Sequence, residues 1–189
     1  PYDVYLNFDV CGEPNAFYDP NTKEITMCIE FLAEFERVFK PIAEKPKDLD
    51  EMVFGAMAVF FFHELGHCLI DAWDLPATGR EEDAVDQLAM VLLLDGTPEG
   101  ERMVLSAAIF FRLASAEQDD RELAFWDEHS LDQQRFYDML CQIYGSNPEK
   151  NKHLLGDDAL PLERATRCTA EYKRVDSAWS QLLLPYLKG

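Results

Sequence analysis

Residues 52–73 read MVFGAMAVFFFHELGHCLIDAW, and the fold turns on this stretch. The apolar run Met52–Phe62 has 11 residues and leads straight into His63 and Glu64. A bilayer-spanning helix needs about 20 apolar residues. The run therefore reads as a buried core helix, and no stretch of the chain reads as a membrane span. Asp50 is placed to cap this helix, which is expected from Glu51 to about Trp73. Inside it, His63-Glu64-Leu65-Gly66-His67 is an HExxH motif. Residues i and i+4 share one helical face, so both imidazoles can reach one ion. Zinc accepts such nitrogens at about 2.0–2.1 Å. Glu64 stands at the margin of that face, where it can reach a metal-bound water rather than the metal. The plain alternative is a core helix with two satisfied histidines. Burying two His and one Glu without partners is costly, however, and a cation removes that cost.

A catalytic zinc needs a third protein ligand and one open position. Downstream, residues 78–86 read TGREEDAVD. Thr78 and Glu81 match a capping box, which offers Glu81 a structural role at a helix start. Glu82 and Asp86 are four residues apart on one face, continued inward by Val85, Leu88 and Ala89. Glu82 is the expected third ligand. Asp86 is expected to accept a hydrogen bond from the free ring nitrogen of a ligand histidine, His63. An acidic helix N-terminus favoured by the macrodipole accounts for Glu81 and Asp83 but not for the inward pair. Asp71, four residues after His67, and Glu81 stand behind Glu82 as ligands. A metzincin would carry Gly at 70 and His at 73; Ile70 and Trp73 exclude that class. His129, in Asp127-Glu128-His129-Ser130, is the candidate catalytic donor to an oxyanion, with Tyr137 as alternative and a surface or capping role as the competing reading. His153 lies in a polar stretch and reads as solvated.

Around this centre the periodicity changes. Tyr2–Phe8 (YDVYLNF) and Glu24–Glu30 (EITMCIE) alternate as half-buried strands sharing a small sheet. Asp19-Pro20-Asn21 is a turn signal. Helical spacing follows over Phe31 to Phe39 and stops before Pro41. A helix is expected from Arg80 to Leu94, ended by Gly96. Another starts at Thr97-Pro98 and reaches about Ala116. Ser130–Gln133 (SLDQ) reads as a capping box for a helix stopping at Gly145, and a last helix is expected over Pro161 to Leu184. The class is α+β: a mostly helical, zincin-like single domain over 1–189, with strands in 1–30 and mainly helices in 31–189.

The 189 residues include 17 basic and 36 acidic side chains, a net charge of -19. Such a surface repels phosphate backbones and anionic membranes, so nucleic acid is excluded as a partner. Nothing in the sequence sets the oligomeric state. Of five cysteines, Cys11 with Cys28 and Cys141 with Cys168 form plausible local pairs, leaving Cys68 as a small buried hydrophobe. Five reduced thiols stand as an equal alternative.

The HExxH helix followed by E-x-x-x-D resembles the gluzincin arrangement of thermolysin-like peptidases. More closely, the blocks CGEPNAFYDP, ITMCIE, FFHELGHCLID, LPATGREEDAVDQLA, DEHSLDQQRFY and CQIYGSNP resemble a bacterial metallopeptidase family catalogued as a domain of unknown function. They span roughly Cys11 to Pro148. The resemblance implies one zinc ion held by His63, His67 and Glu82, Glu64 as general base, and a peptide or protein substrate. It also implies export, hence a periplasmic or secreted location and two disulfides. No signal peptide is seen in the chain, which opens at Pro1, so a leader is expected to have been removed or to lie outside it. In zincin-type enzymes a substrate strand pairs with a sheet edge, for which Glu24–Glu30 is the candidate. A non-catalytic zinc-binding protein and a zinc hydrolase of non-protein amides are the competing functions.

Overall fold

The computed structural model describes residues 2–117 and 123–187. Three strands come first: β1 (Tyr5–Asp9), β2 (Ala16–Asp19) and β3 (Glu24–Cys28). Helices follow: α1 (Glu30–Phe39), α2 (Pro46–Trp73), α3 (Glu81–Leu93), α4 (Pro98–Glu117), α5 (Asp132–Ser146) and α6 (Leu162–Leu183), with a short 3-10 turn at Lys152–Leu154. The α+β class and the helical predominance are as expected.

The sheet departs from expectation in three ways. It has a third strand, β2, and its order is β1-β3-β2. β3 is therefore central, parallel to β1 and antiparallel to β2, and is not the free edge assigned to it. β1 is exposed throughout rather than half-buried; Leu6 is 48% and Phe8 62% exposed. The reason is coverage. α2 packs on β2 and β3, burying Ile25 and Met27, and β1 lies beyond it at the sheet margin. β2 has only four residues between turn-forming stretches, too few to show a period. Cys11 is bonded to Cys28, tying the loop after β1 to the end of β3.

α2 is the helix on which the rest assembles; α1, α3, α4, β2 and β3 all pack on it. It begins at Pro46, with proline in the first turn and no side-chain cap, so Asp50 lies inside the helix rather than capping it. The helix has 28 residues and a mean hydropathy of 1.6 over its most apolar window, long and apolar enough by composition to cross a bilayer. The estimate of 11 residues stopped at His63, whereas Leu65, Cys68, Leu69 and Ile70 continue the apolar character beyond it. Of that window 39% is buried, with Ala56, Val59 and Cys68 facing the core and Phe54 exposed. Phe31 and Phe35 of α1, Phe60 of α2 and Phe110 of α4 interlock, with Phe31–Phe60 and Phe35–Phe110 centroids each 4.8 Å apart. Full burial of such a side chain contributes about 1.5–3 kcal/mol.

Two further expected caps are displaced. α3 has Arg80 at its N-cap with no side-chain hydrogen bond, so the Thr78–Glu81 box does not form. α5 starts at Asp132; Gln134 Oε1 accepts the Leu131 N–H at 3.1 Å, and Ser130 instead donates to Asp83 Oδ1 at 2.7 Å. The Thr97 cap forms as read, accepting the Gly100 N–H at 3.1 Å. Cys141 is bonded to Cys168, joining α5 to α6. Cys68 is free and buried.

Gly66 sets the spacing of α2 against α3. A Cβ built there would lie 2.7 Å from Val85 Cβ and 2.8 Å from its Cγ1. Val85 is β-branched, stiff and fully buried, so it cannot swing aside. Gly66→Ala should therefore push α2 from α3 and destabilise the fold by about 1–3 kcal/mol. Urea unfolding of wild type and variant checks this; unchanged stability would show that the interface yields freely.

Candidate metal centre

The α-helical repeat places His63 and His67 on the same side of α2, ring centroids 5.0 Å apart. The Gly66–Val85 contact brings the first turn of α3 against them. Glu82 Oε2 lies 3.0 Å from His63 Nε2, and Glu82 Oε1 lies 3.4 Å from His67 Nε2. One ligand atom from each of His63, His67 and Glu82 falls within 4.8 Å of the others, the spacing of groups that hold one metal ion. Glu82 Oε2 is shielded from solvent and accepts no well-formed hydrogen bond, although His63 and His129 nitrogens stand 3.0 and 2.9 Å away. The nitrogens face this oxygen at distances suited to hydrogen bonding but without its angles. A buried acceptor left unmet costs about 1–3 kcal/mol, and a shared cation removes that cost. The donor set of two imidazoles and a carboxylate fits a borderline-soft divalent ion.

Both histidines are held from behind. His63 Nδ1 pairs with Asp86 Oδ1 at 2.7 Å, as expected from the sequence. Asp86 is in turn gripped by Arg135 of α5, whose Nε and Nη2 donate at 2.7 and 2.6 Å. His67 Nδ1 pairs with Glu81 Oε1 at 2.8 Å. With Nδ1 held by a carboxylate, each ring presents Nε2 to a metal once the proton on that nitrogen is lost, the usual arrangement behind metal histidines. Neither Arg135 nor this role of Glu81 was read from the sequence. Arg135 carried one signal: it shares a helical face with Met139 and Gln142, both buried, and a charge on a buried face needs a partner.

The other expected residues distribute as follows. Glu64 is 6% exposed, beside the histidines, and the Tyr18 backbone N–H faces its carboxylate. His129, in the segment before α5, points Nε2 at Glu82 and Nδ1 at Asp127 Oδ1, 3.1 Å away. Tyr137 packs on Phe136 and does not line the cleft. Asp71 stands apart from the cluster: its Oδ2 accepts from Tyr2 and Tyr18 hydroxyls and from Lys23 Nζ at 2.7–2.8 Å, tying the sheet to α2. His153 lies on the surface, with Nδ1 3.3 Å from the Lys150 carbonyl. The centre opens into a cleft of about 620 Å³ between β2, the C-terminal half of α2 and the segment carrying His129.

Charge balance explains the titration behaviour. Burial raises the Glu64 pKa, the main effect on it. Burial also opposes charge on Glu82, but the imidazoles of His129, His63 and His67 outweigh it and hold this carboxyl far below the usual range. Asp86 is likewise penalised by burial and kept ionised by Arg135 and His63. Burial alone would lower the His67 pKa; Glu82 and Glu81 reverse this and raise it to about 9. Burial alone would also lower the His63 pKa; Asp86 and Glu82 outweigh it and raise it.

Two measurements follow from this geometry. In the metal-free protein His67 carries a proton at neutral pH. Its folded pKa lies above its ordinary value of 6.5, so its stabilising contribution is complete below pH 6.5 and disappears as pH rises through about 9. Metal binding near pH 7.5 must expel that proton, and calorimetry in buffers of different ionisation enthalpy should record proton release. Its absence would mean that His67 is neutral or not a ligand. Second, Glu82→Ala should weaken metal binding far more than Glu81→Ala, which should cost about 10–100-fold as an orienting group. Equal losses in a metal titration would overturn the assignment of Glu82.

Comparison with curated proteins and with solved structures returns no match. A family model, DUF4344, described as "putative metallopeptidase", matches residues 1–183. Since that span takes in every strand and helix of the fold, the chain belongs to this family.

Proposed function

We propose that the chain is a zinc-dependent peptidase that hydrolyses peptide bonds with Glu64 as general base. The observation that carries this reading is the meeting of His63, His67 and Glu82 with Glu64 beside them at the floor of an open cleft. Three protein ligands with access for a further group are the pattern of catalytic rather than structural zinc. A zinc ion bound there supplies Lewis acidity, making water more acidic and a carbonyl more electrophilic. Glu64 takes the proton of the attacking water and passes it to the leaving amine. Its raised pKa suits that double task, because a more basic carboxylate accepts the proton more readily. His129 Nε2 faces the same space and donates to developing negative charge on the substrate oxygen. Asp86, Arg135 and Glu81 keep the rings oriented.

The substrate strand pairs with β2. Asn15 and Asp19 carbonyls turn inward to Cys28 and Lys23, so the intervening alternation turns Ala16 and Tyr18 outward to the cleft. The Ala16 N–H is met by Asn15 Oδ1 and the Tyr18 N–H faces Glu64, so an extended peptide can add there as a further strand through the outward carbonyls. The two disulfides support a periplasmic or secreted location, where such bonds persist.

Glu64→Gln should keep the metal and reduce hydrolysis by about 10²–10⁴-fold. Metal analysis of both proteins, with cleavage of a broad peptide library, tests this. Undiminished cleavage by the variant would remove Glu64 as base; the absence of zinc from active protein would replace the metal. Cleavage of non-peptide amides alone would favour the competing hydrolase, and bound zinc without any cleavage the non-catalytic binding protein.

A further inference from the structure

The cleft is identified by its ligand cluster and by the outward edge of β2; the charge of its walls is a separate observation. Apart from Glu64, Glu82 and the His67 partner Glu81, it is lined by Asp71, Asp74 and Glu128, with no lysine or arginine. This is not simply the acidity of the whole chain. The neighbouring polar cavity between α3, α5 and α6 carries Arg135, Arg164 and Arg174 among its acids. Asp71 is already neutralised by Lys23 at 2.8 Å. Asp74 and Glu128 differ: both are exposed, and neither side chain has a hydrogen bond or ion pair among the described residues. Asp74 follows the last residue of α2 with a left-handed backbone, φ 48°. It lies seven residues past His67, whereas Glu128 adjoins His129 and so flanks Glu82. Both line the cleft, Asp74 from the end of α2 and Glu128 from the segment before α5.

Resting on the peptidase reading, we infer that the cleft takes cationic peptides, with Asp74 and Glu128 as specificity-determining residues for lysine or arginine side chains. An acidic cleft with low-dielectric walls concentrates cations and repels anions. The apolar floor at Ile70 and Leu75 accepts the aliphatic stem of such a side chain while its charge reaches the rim.

The test uses zinc-loaded protein carrying Glu64→Gln, so that peptides bind without being cut. Fluorescence anisotropy compares labelled peptides of equal length and apolar content with net positive, zero or negative charge. The positive peptide should bind about tenfold more tightly than the negative one at low salt, and the gap should shrink as salt rises. Adding Asp74→Asn and Glu128→Gln should abolish the preference, with zinc content and circular dichroism unchanged; both residues are exposed, so the fold tolerates these near-isosteric changes. Equal binding of all three peptides, no binding of any, or a preference that survives the double change would overturn the inference. The peptidase reading is judged separately, on wild-type cleavage. Cutting without regard to charge would sink only the cationic preference, whereas selective binding without cutting would sink only the hydrolytic step.

Discussion

The absence of a side chain at Gly66 is the constraint on which the centre depends. α2 and α3 approach until Val85 rests where a Cβ would otherwise be, and only at that distance does the first turn of α3 reach both imidazoles. The motif thus has two spacings. One, along α2, aligns the histidines. The other, across the helix pair, depends on a glycine inside the same five residues. Chemistry and packing share one short segment, and neither can be altered without the other.

Around that contact the polar groups form a closed set. Asp86 would be prohibitively costly at its depth if it were alone, and Arg135 would be equally so. Together they satisfy each other and hold His63, and the Arg135 guanidinium stacks 4.1 Å from the Phe111 ring centroid. The arrangement connects α2, α3, α4 and α5. His63 is therefore oriented by a helix distant in sequence, and α5 is itself bonded to α6 through Cys141 and Cys168. Precision at the centre is inherited from the whole helical core rather than from the motif alone.

What could be read from the sequence follows from this distinction. The His63–His67 pair, the inward Glu82–Asp86 pair and the long helices are local periodicities, visible in any window of suitable length. The two disulfide pairs were one of two open readings of the cysteines, and the structure contains both bonds. The rotation of α3 about its axis is not local, and it turns Glu81 towards His67 instead of towards Thr78. The Asp86–Arg135 pair spans 49 residues, which no spacing rule covers. β2 was missed because four residues cannot show a period, and its insertion beside β3 moved the free edge next to the cleft from one strand to another.

At the opposite margin of the sheet, β1 keeps one row of backbone donors and acceptors without strand partners among the described residues, with Leu6 and Phe8 exposed beside it. Natural sheets protect such margins with charge. Here Asp3 precedes the strand and Asp9 ends it, and the surplus of carboxylates acts over the whole surface. The negative surface charge opposes the approach of a second copy to this margin. Acidification towards the isoelectric point of about 4.4 weakens that repulsion, so the protons that neutralise the surface also lower the barrier to strand addition at this margin.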